Sequence, residues 1–169
     1  AKGRVSALEV GFGTGGPVRP GLRGLGLDVD LNQSGGRARV VMQDGAVNLP
    51  DVFEDPLVPV SGLSGDVQWL LRGEAIEVRV EKLQFESQHA AGEARAVWRT
   101  SDPQNSPSKA RFPGVLDLQG SLSRADGTKV HRYLPLVVPP EARHYVRDAV
   151  QQGSASAVKF RVRGDLHDM

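Results

Sequence analysis

The chain has 169 residues, 39% apolar and 24% charged, which suits one folded domain and is too apolar for intrinsic disorder. A net charge of +1, from 21 Lys and Arg against 20 Asp and Glu, argues against a dedicated nucleic-acid binder. The absence of cysteine excludes a disulfide framework, a Cys-ligated zinc site and a Cys nucleophile.

Period-two alternation dominates the chain and places apolar side chains on one face of successive strands. Leu8, Val10 and Phe12 alternate first, and the stretch from Gly13 to Pro20 breaks the pattern. Leu25, Leu27, Val29 and Leu31 follow, with Ser34-Gly35-Gly36 reading as a hairpin turn and Ala38, Val40 and Met42 as the return strand. A short extended piece is expected around Val47 and Leu49. The acidic, proline-bearing stretch Asp51 to Val60 reads as a loop. Leu63, Val67, Trp69 and Leu71 mark the next strand, with a turn near Arg72-Gly73. Ile76, Val78 and Val80 alternate until parity switches to Leu83 and Phe85, which predicts a bulge near Lys82.

Ala90, Ala94, Ala96 and Trp98 form a weaker strand. Asp102 to Pro113 reads as a polar, mobile loop. Leu116, Leu118 and Leu122 mark another strand, and Val158, Phe160 and Val162 the last. Val130 to Leu134 suggests a short helical turn ending at Pro135. One amphipathic helix is expected near residues 140–152, with Pro140 in its first turn and Gly153 as its stop. Its apolar stripe of Ala142, Tyr145, Val146, Ala149 and Val150 should dock on the sheet. Gly21-Leu22-Arg23-Gly24 and Gly62-Leu63-Ser64-Gly65 form a faint internal repeat, read as a hairpin unit used twice or as chance in a Gly-rich chain.

Residues that could carry chemistry have simpler structural readings. Gly11-Phe12-Gly13-Thr14-Gly15-Gly16 resembles a phosphate-cradling loop, but Pro17 and a β pattern follow it rather than a helix. His89, His131, His144 and His167 lack short metal-ligand spacing, so no metal and no cofactor is expected. Asp28 with Asp30, and Glu77 with Glu81, share strand faces as carboxylate pairs could in a hydrolase. They alternate with apolar residues, as a solvated face does, and Arg37, Arg39 and Arg79 can pair with acids across strands. No G-x-S-x-G elbow occurs. The Asn32-Gln33-Ser34 sequon coincides with a turn, which accounts for its composition. Lys159-Phe160-Arg161-Val162-Arg163 could meet nucleic acid but is explained by a strand with one polar face, so no nucleic-acid partner is expected.

The alternation leaves a wide apolar sheet face that one helix cannot cover. Either the sheet closes on itself, or a lipid acyl chain or another segment of the polypeptide fills the face. No apolar run reaches the roughly 20 residues that span a bilayer. The opening Ala1-Lys2-Gly3, without an initiator Met or signal peptide, suggests a piece of a longer polypeptide.

Leu49-Pro50-Asp51-Val52-Phe53-Glu54-Asp55-Pro56-Leu57, Leu63-Ser64-Gly65-Asp66-Val67-Gln68-Trp69, Arg132-Tyr133-Leu134-Pro135, Pro140 through Gly153, and Phe160 through Leu166 occur in an order that resembles the YhdP family of AsmA-like periplasmic proteins. The resemblance implies a curved antiparallel sheet forming an open apolar groove. Residues 1–169 would be a single β-rich segment of a longer periplasmic domain, anchored in the inner membrane by the full-length protein. The implied role is passage of phospholipid between inner and outer membranes, without catalysis. The partners are then phospholipid acyl chains, the two membranes and the remaining segments of the same polypeptide. The residues expected to line the groove are those of the apolar parity: Leu25, Leu27, Val29, Leu31, Val40, Met42, Val67, Trp69, Ile76, Val78, Val80, Leu116, Leu118, Val158, Phe160 and Val162. The other readings are a structural or protein-binding β module, and a glycan hydrolase using strand carboxylates.

Overall fold

The computed structural model describes residues 1–11, 20–50, 52–136 and 138–167. The chain is mainly β, 61% strand, and folds as one curved, unclosed antiparallel sheet. Its strands are β1 (Lys2–Val10), β2 (Gly21–Asn32), β3 (Gly35–Asn48), β4 (Leu57–Arg72), β5 (Ala75–Glu86), β6 (Ala90–Arg99), β7 (Val115–Asp126), the two-residue β8 (Ser154–Ala155) and β9 (Val158–Asp165). Strands β1 to β7 form a meander in sequence order. The chain then leaves the sheet through a 3-10 helix (Gly127–Tyr133) and helix α1 (Pro140–Ala149). It returns so that β8 and β9 both pair with β7.

Expected alternation and observed strands agree along most of the chain, with informative differences at the boundaries. Val47 belongs to β3, which runs unbroken to Asn48. The expected loop ends earlier than Val60, because β4 begins at Leu57. Residues 57–60 pair with β3 but not with β5, whose register starts at Gly62 opposite Glu86. That stretch is therefore a sheet edge, where Pro59 is tolerated. The first hairpin turns at Gln33-Ser34, one residue before the expected triplet, with Asn32 paired to Gly35. Gly21 opens β2, whereas Gly62 lies inside β4, so the two G-L-x-G stretches do not occupy equivalent places. Phe12 and the rest of the Gly-rich stretch as far as Pro17 lie outside the described residues.

The predicted bulge is present. Asp66 pairs with Lys82 and Val67 with Val80, which leaves Glu81 as the extra residue. On the other side Val80 pairs with Ala96 and Leu83 with Ala94. The insertion flips parity at one point and keeps Val78, Val80, Leu83 and Phe85 on one face.

The helix differs most from expectation. It ends at Ala149 with Val150 as its cap, short of Gly153. Tyr145 is 73% exposed, Ala142 and Ala149 are exposed, and Val146 is half-buried. The residue it buries is Arg143, at 7% exposure. Arg143 Nη1 donates to the carbonyls of Val138 at 2.7 Å and Leu136 at 3.2 Å, and its Nε lies 3.7 Å from Glu54. The helix packs on the 3-10 turn rather than laying its stripe on the strands. That turn is tied to the β3–β4 loop by Arg132 with Asp55 at 2.9 Å and by an edge-on contact of Tyr133 with Phe53. The expected mobile loop is internally hydrogen-bonded. Ser106 N–H donates to Asp102 O and Ser101 N–H to Arg111 O, and Ser101 and Ser106 are buried.

The buried cluster is small: Leu25, Met42 and Val60, with Leu8, Leu22, Leu27, Val40, Val47 and Leu63 packed around it. It lies on β1 to β4, where strands curl against their own neighbours.

Candidate functional site: the apolar face

Antiparallel pairing puts directly opposed residues on the same side of a sheet. The register therefore sorts side chains into transverse rows. One row runs Val5, Leu27, Val40, Gly65, Leu83, Ala94, Gly120 and Phe160. The next runs Gly3, Val29, Ala38, Val67, Val80, Ala96, Leu118 and Val162. On one flank lies the row Leu31, Gly36, Trp69, Val78, Trp98, Leu116 and Gly164, with Ile76 opposite Leu71 beyond it. On the other flank lies Leu8, Leu25, Met42, Leu63, Phe85, Gly92, Leu122 and Val158. Every residue expected on the apolar parity falls in these rows.

The opposite face is charged. Arg4, Asp28, Arg39, Asp66 and Lys82 stand in one row of alternating sign. Arg4 pairs with Asp28, Arg39 with Asp66, and Arg37 with Asp30 across strands, while Arg79 pairs with Glu77 along its own strand. Asp117 accepts from Arg161, which holds its carboxyl below the ordinary range. Exposed pairs of this kind contribute little stability each. Their effect is to mark the wet side of the sheet.

Each strand packs chiefly against its hydrogen-bonded neighbours, and β1 and β9 do not pair with one another. Along the middle of β2 to β5 the apolar rows are nonetheless less exposed than the charged ones, while Val5, Leu31, Val158 and Val162 at the margins are exposed. Leu27, Val29, Val40, Val67, Trp69, Val78 and Val80 are half-buried, whereas Asp28, Arg37, Arg39, Asp66, Gln68 and Arg79 are exposed. Met42 reaches 1% exposure. Neighbouring side chains provide this shielding, since no second layer of sheet lies over them among the described residues.

Sequence reasoning missed the part played by glycine on this face. Gly36 is the cross-strand partner of Trp69, and a Cβ there would collide with the Trp69 ring. Gly120 is the partner of Phe160, where a Cβ would stand 2.7 Å from the Phe160 ring. The aromatic rings thus lie over glycines of the adjacent strand, filling space that paired side chains would otherwise contest. The available signal was glycine at the apolar parity of a strand, two residues from Ala38 in β3 and from Leu118 in β7. Trp98, in the same row as Trp69, donates its Nε1–H to Pro113 O at 3.0 Å and stacks on Phe112 at 6.1 Å, so the loop before β7 borders the face at that flank.

Other candidate groups do not assemble into a reaction centre among the described residues. No group of three or more His, Asp or Glu has metal-binding geometry. Hydrogen bonds hold Asp102, Asp117, Asp126 and Asp148 below the ordinary carboxylate value. His89 Nδ1 lies 2.8 Å from Tyr133 Oη. Burial, aided by Arg132, pushes the His89 pKa down, and burial pushes the Tyr133 hydroxyl up. His144 and His167 are exposed, and His131 buries its Nδ1 without a hydrogen-bond partner.

No curated protein and no solved structure matches the chain. The family model described as YhdP protein matches residues 17–169, nearly the whole sheet together with its helical excursion. The chain therefore belongs to the YhdP family.

Proposed function

We propose that this chain is a non-enzymatic section of an envelope lipid conduit, carrying phospholipid between the inner and outer membranes along the face formed by the apolar rows. Family membership points toward an envelope protein concerned with lipid transport. The observation that carries the reading is the alignment of the rows on one side of an unclosed sheet. Acyl tails would lie across them while headgroups remain wet. Each buried CH2 would contribute about 0.8 kcal/mol. Similar apolar surroundings from row to row give a tail little reason to stop at any one place.

In this reading the chain works in the periplasm, and an anchor outside it holds the full-length protein in the inner membrane. No helix among the described residues is long and apolar enough to cross a membrane. The edges at β1 and β9 would pair with remaining segments of the same polypeptide. Those same edges favour one alternative, a structural module that binds a partner protein by strand addition. Lipid co-purifying with the intact protein supports the conduit, whereas a stable protein partner without lipid supports the alternative.

The test is Val78→Asp in the full-length protein. A carboxylate on an open face can reach water, so folding should survive, yet it would repel an acyl chain. A folded variant with failed lipid transfer is expected. Normal transfer, or loss of folding as in a closed core, would contradict the reading.

A further inference from the structure

The charged face is matched unevenly. On β1 to β4, Arg4 pairs with Asp28, Arg37 with Asp30 and Arg39 with Asp66, while Arg72 at the end of β4 forms no ion pair among the described residues. On β6 the matching stops. Arg95 donates to the neutral Oε1 of Gln119 at 3.0 Å, and the side chain of Arg99 makes no hydrogen bond or ion pair among the described residues. Glu77, opposite Arg99 in the register, gives its carboxylate to Arg79.

Arg95 and Arg99 stand two residues to either side of Val97 on the same strand face, about 7 Å from it along the strand. Arg79 lies directly across from Val97 on β5, and Arg163 is in the same row on β9. These four arginines border a depression of about 610 Å³. Its two acids are Glu81 and Asp117, and Asp117 is engaged by Arg161 at 2.8 Å and Arg163 at 3.7 Å. The floor is apolar: Val97 is 38% exposed and Val115 half-buried.

We propose that this depression binds the phosphate group of an anionic amphiphile, gripped by Arg95 and Arg99 with adjoining hydrocarbon laid on Val97 and Val115. Guanidinium groups match phosphate oxygens in geometry as well as charge. Among the described residues neither Arg95 nor Arg99 forms an ion pair, although Arg95 lies within the field of Asp117, and two guanidinium groups so placed suit one group of up to two negative charges better than a single carboxylate. The valine floor favours an ester with hydrocarbon beside its phosphate over a fully hydrated inorganic ion. The site lies on the side away from the apolar rows, so it stands independently of acyl-chain transport: its failure would leave that reading intact, and the reverse.

The test measures phenylglyoxal modification of individual arginines in the intact protein by peptide mass spectrometry. Arg37 and Arg39 serve as exposed references on the same face. Phosphatidylcholine vesicles containing phosphatidic acid should slow modification of Arg95 and Arg99 several-fold and leave Arg37 and Arg39 unchanged. Vesicles carrying oleic acid at matched charge, and soluble glycerol 3-phosphate, should protect much less. In a parallel sedimentation assay, the exposed double variant Arg95→Gln/Arg99→Gln should lose its preference for phosphatidic acid over oleic acid. No protection, equal protection by oleic acid or by glycerol phosphate, equal slowing at Arg37 and Arg39, or an unchanged preference in the double variant would overturn the proposal.

Discussion

Gly36 and Gly120 do at single positions what a longer side chain could not. Each leaves room for an aromatic ring from the neighbouring strand on the apolar face. Gly120→Val should therefore cost about 1–3 kcal/mol through overpacking. Gly3 occupies the same face but nothing lies within 4 Å of its missing Cβ, so Gly3→Val should move the urea midpoint far less. A Cβ at Gly120 would meet the Glu93 carbonyl as well as the Phe160 ring, so equal midpoints for the two variants would remove the close packing assigned to Gly120. A second residue-scale effect concerns pH. The folded state depresses the His89 pKa below its usual 6.5, chiefly by burial. Below that value the unfolded chain binds more protons, so stability must fall as pH falls. His89→Gln should flatten the stability profile between pH 6.5 and more acidic conditions, measured by urea unfolding at successive pH values.

Among elements, strands were legible in the sequence and the helix was only half so. Parity alone placed Val78 and Val80, then Leu83 and Phe85, on a common face, because a two-residue period survives a bulge if the switch point is seen. Removing Glu81 should leave a regular strand in which Leu83 and Phe85 keep the side of Val78 and Val80, because the bulge residue is the one without a cross-strand partner. The deletion is therefore expected to melt close to Glu81→Ala, by circular dichroism on heating, and a deletion that unfolds far earlier would contradict this register. Helix α1 was recognisable from its spacing, but its docking was not. An amphipathic stripe says which side is apolar, not what lies beside it, and here a buried arginine tethers the helix to backbone carbonyls. Arg143→Ala would leave the carbonyls of Leu136 and Val138 without their donor and should cost about 1–3 kcal/mol. Tyr145→Ser, on the exposed stripe, should stay within about 0.5 kcal/mol of wild type. Urea unfolding of the two variants checks the order. The start of β4 was hidden for another reason: prolines and acids mark a loop in most settings, and only the absence of a β5 neighbour along residues 57–61 lets Pro59 join a strand.

For the whole molecule, the governing feature is a broad sheet that does not close. Composition and alternation pointed to an apolar face in need of cover, and left open whether the sheet folds back on itself. The register answers the geometric part: the rows align on one side, the charges on the other, and β1 and β9 remain apart. The glycine–aromatic pairs escaped the sequence reading because strand alternation does not specify which glycine lies beneath which ring. The conduit reading makes its sharpest demand on neighbours in sequence that face opposite ways. Val78 lies opposite Trp69 and Trp98 in the apolar rows, while Glu77 stands opposite Arg99 in the register, on the other side. A photoreactive amino acid introduced at Val78 in the full-length protein should crosslink phospholipid during transfer far more than the same residue at Glu77, read by mass spectrometry of the adducts. Equal crosslinking at the two positions, or none at either, would contradict acyl-chain passage along this face.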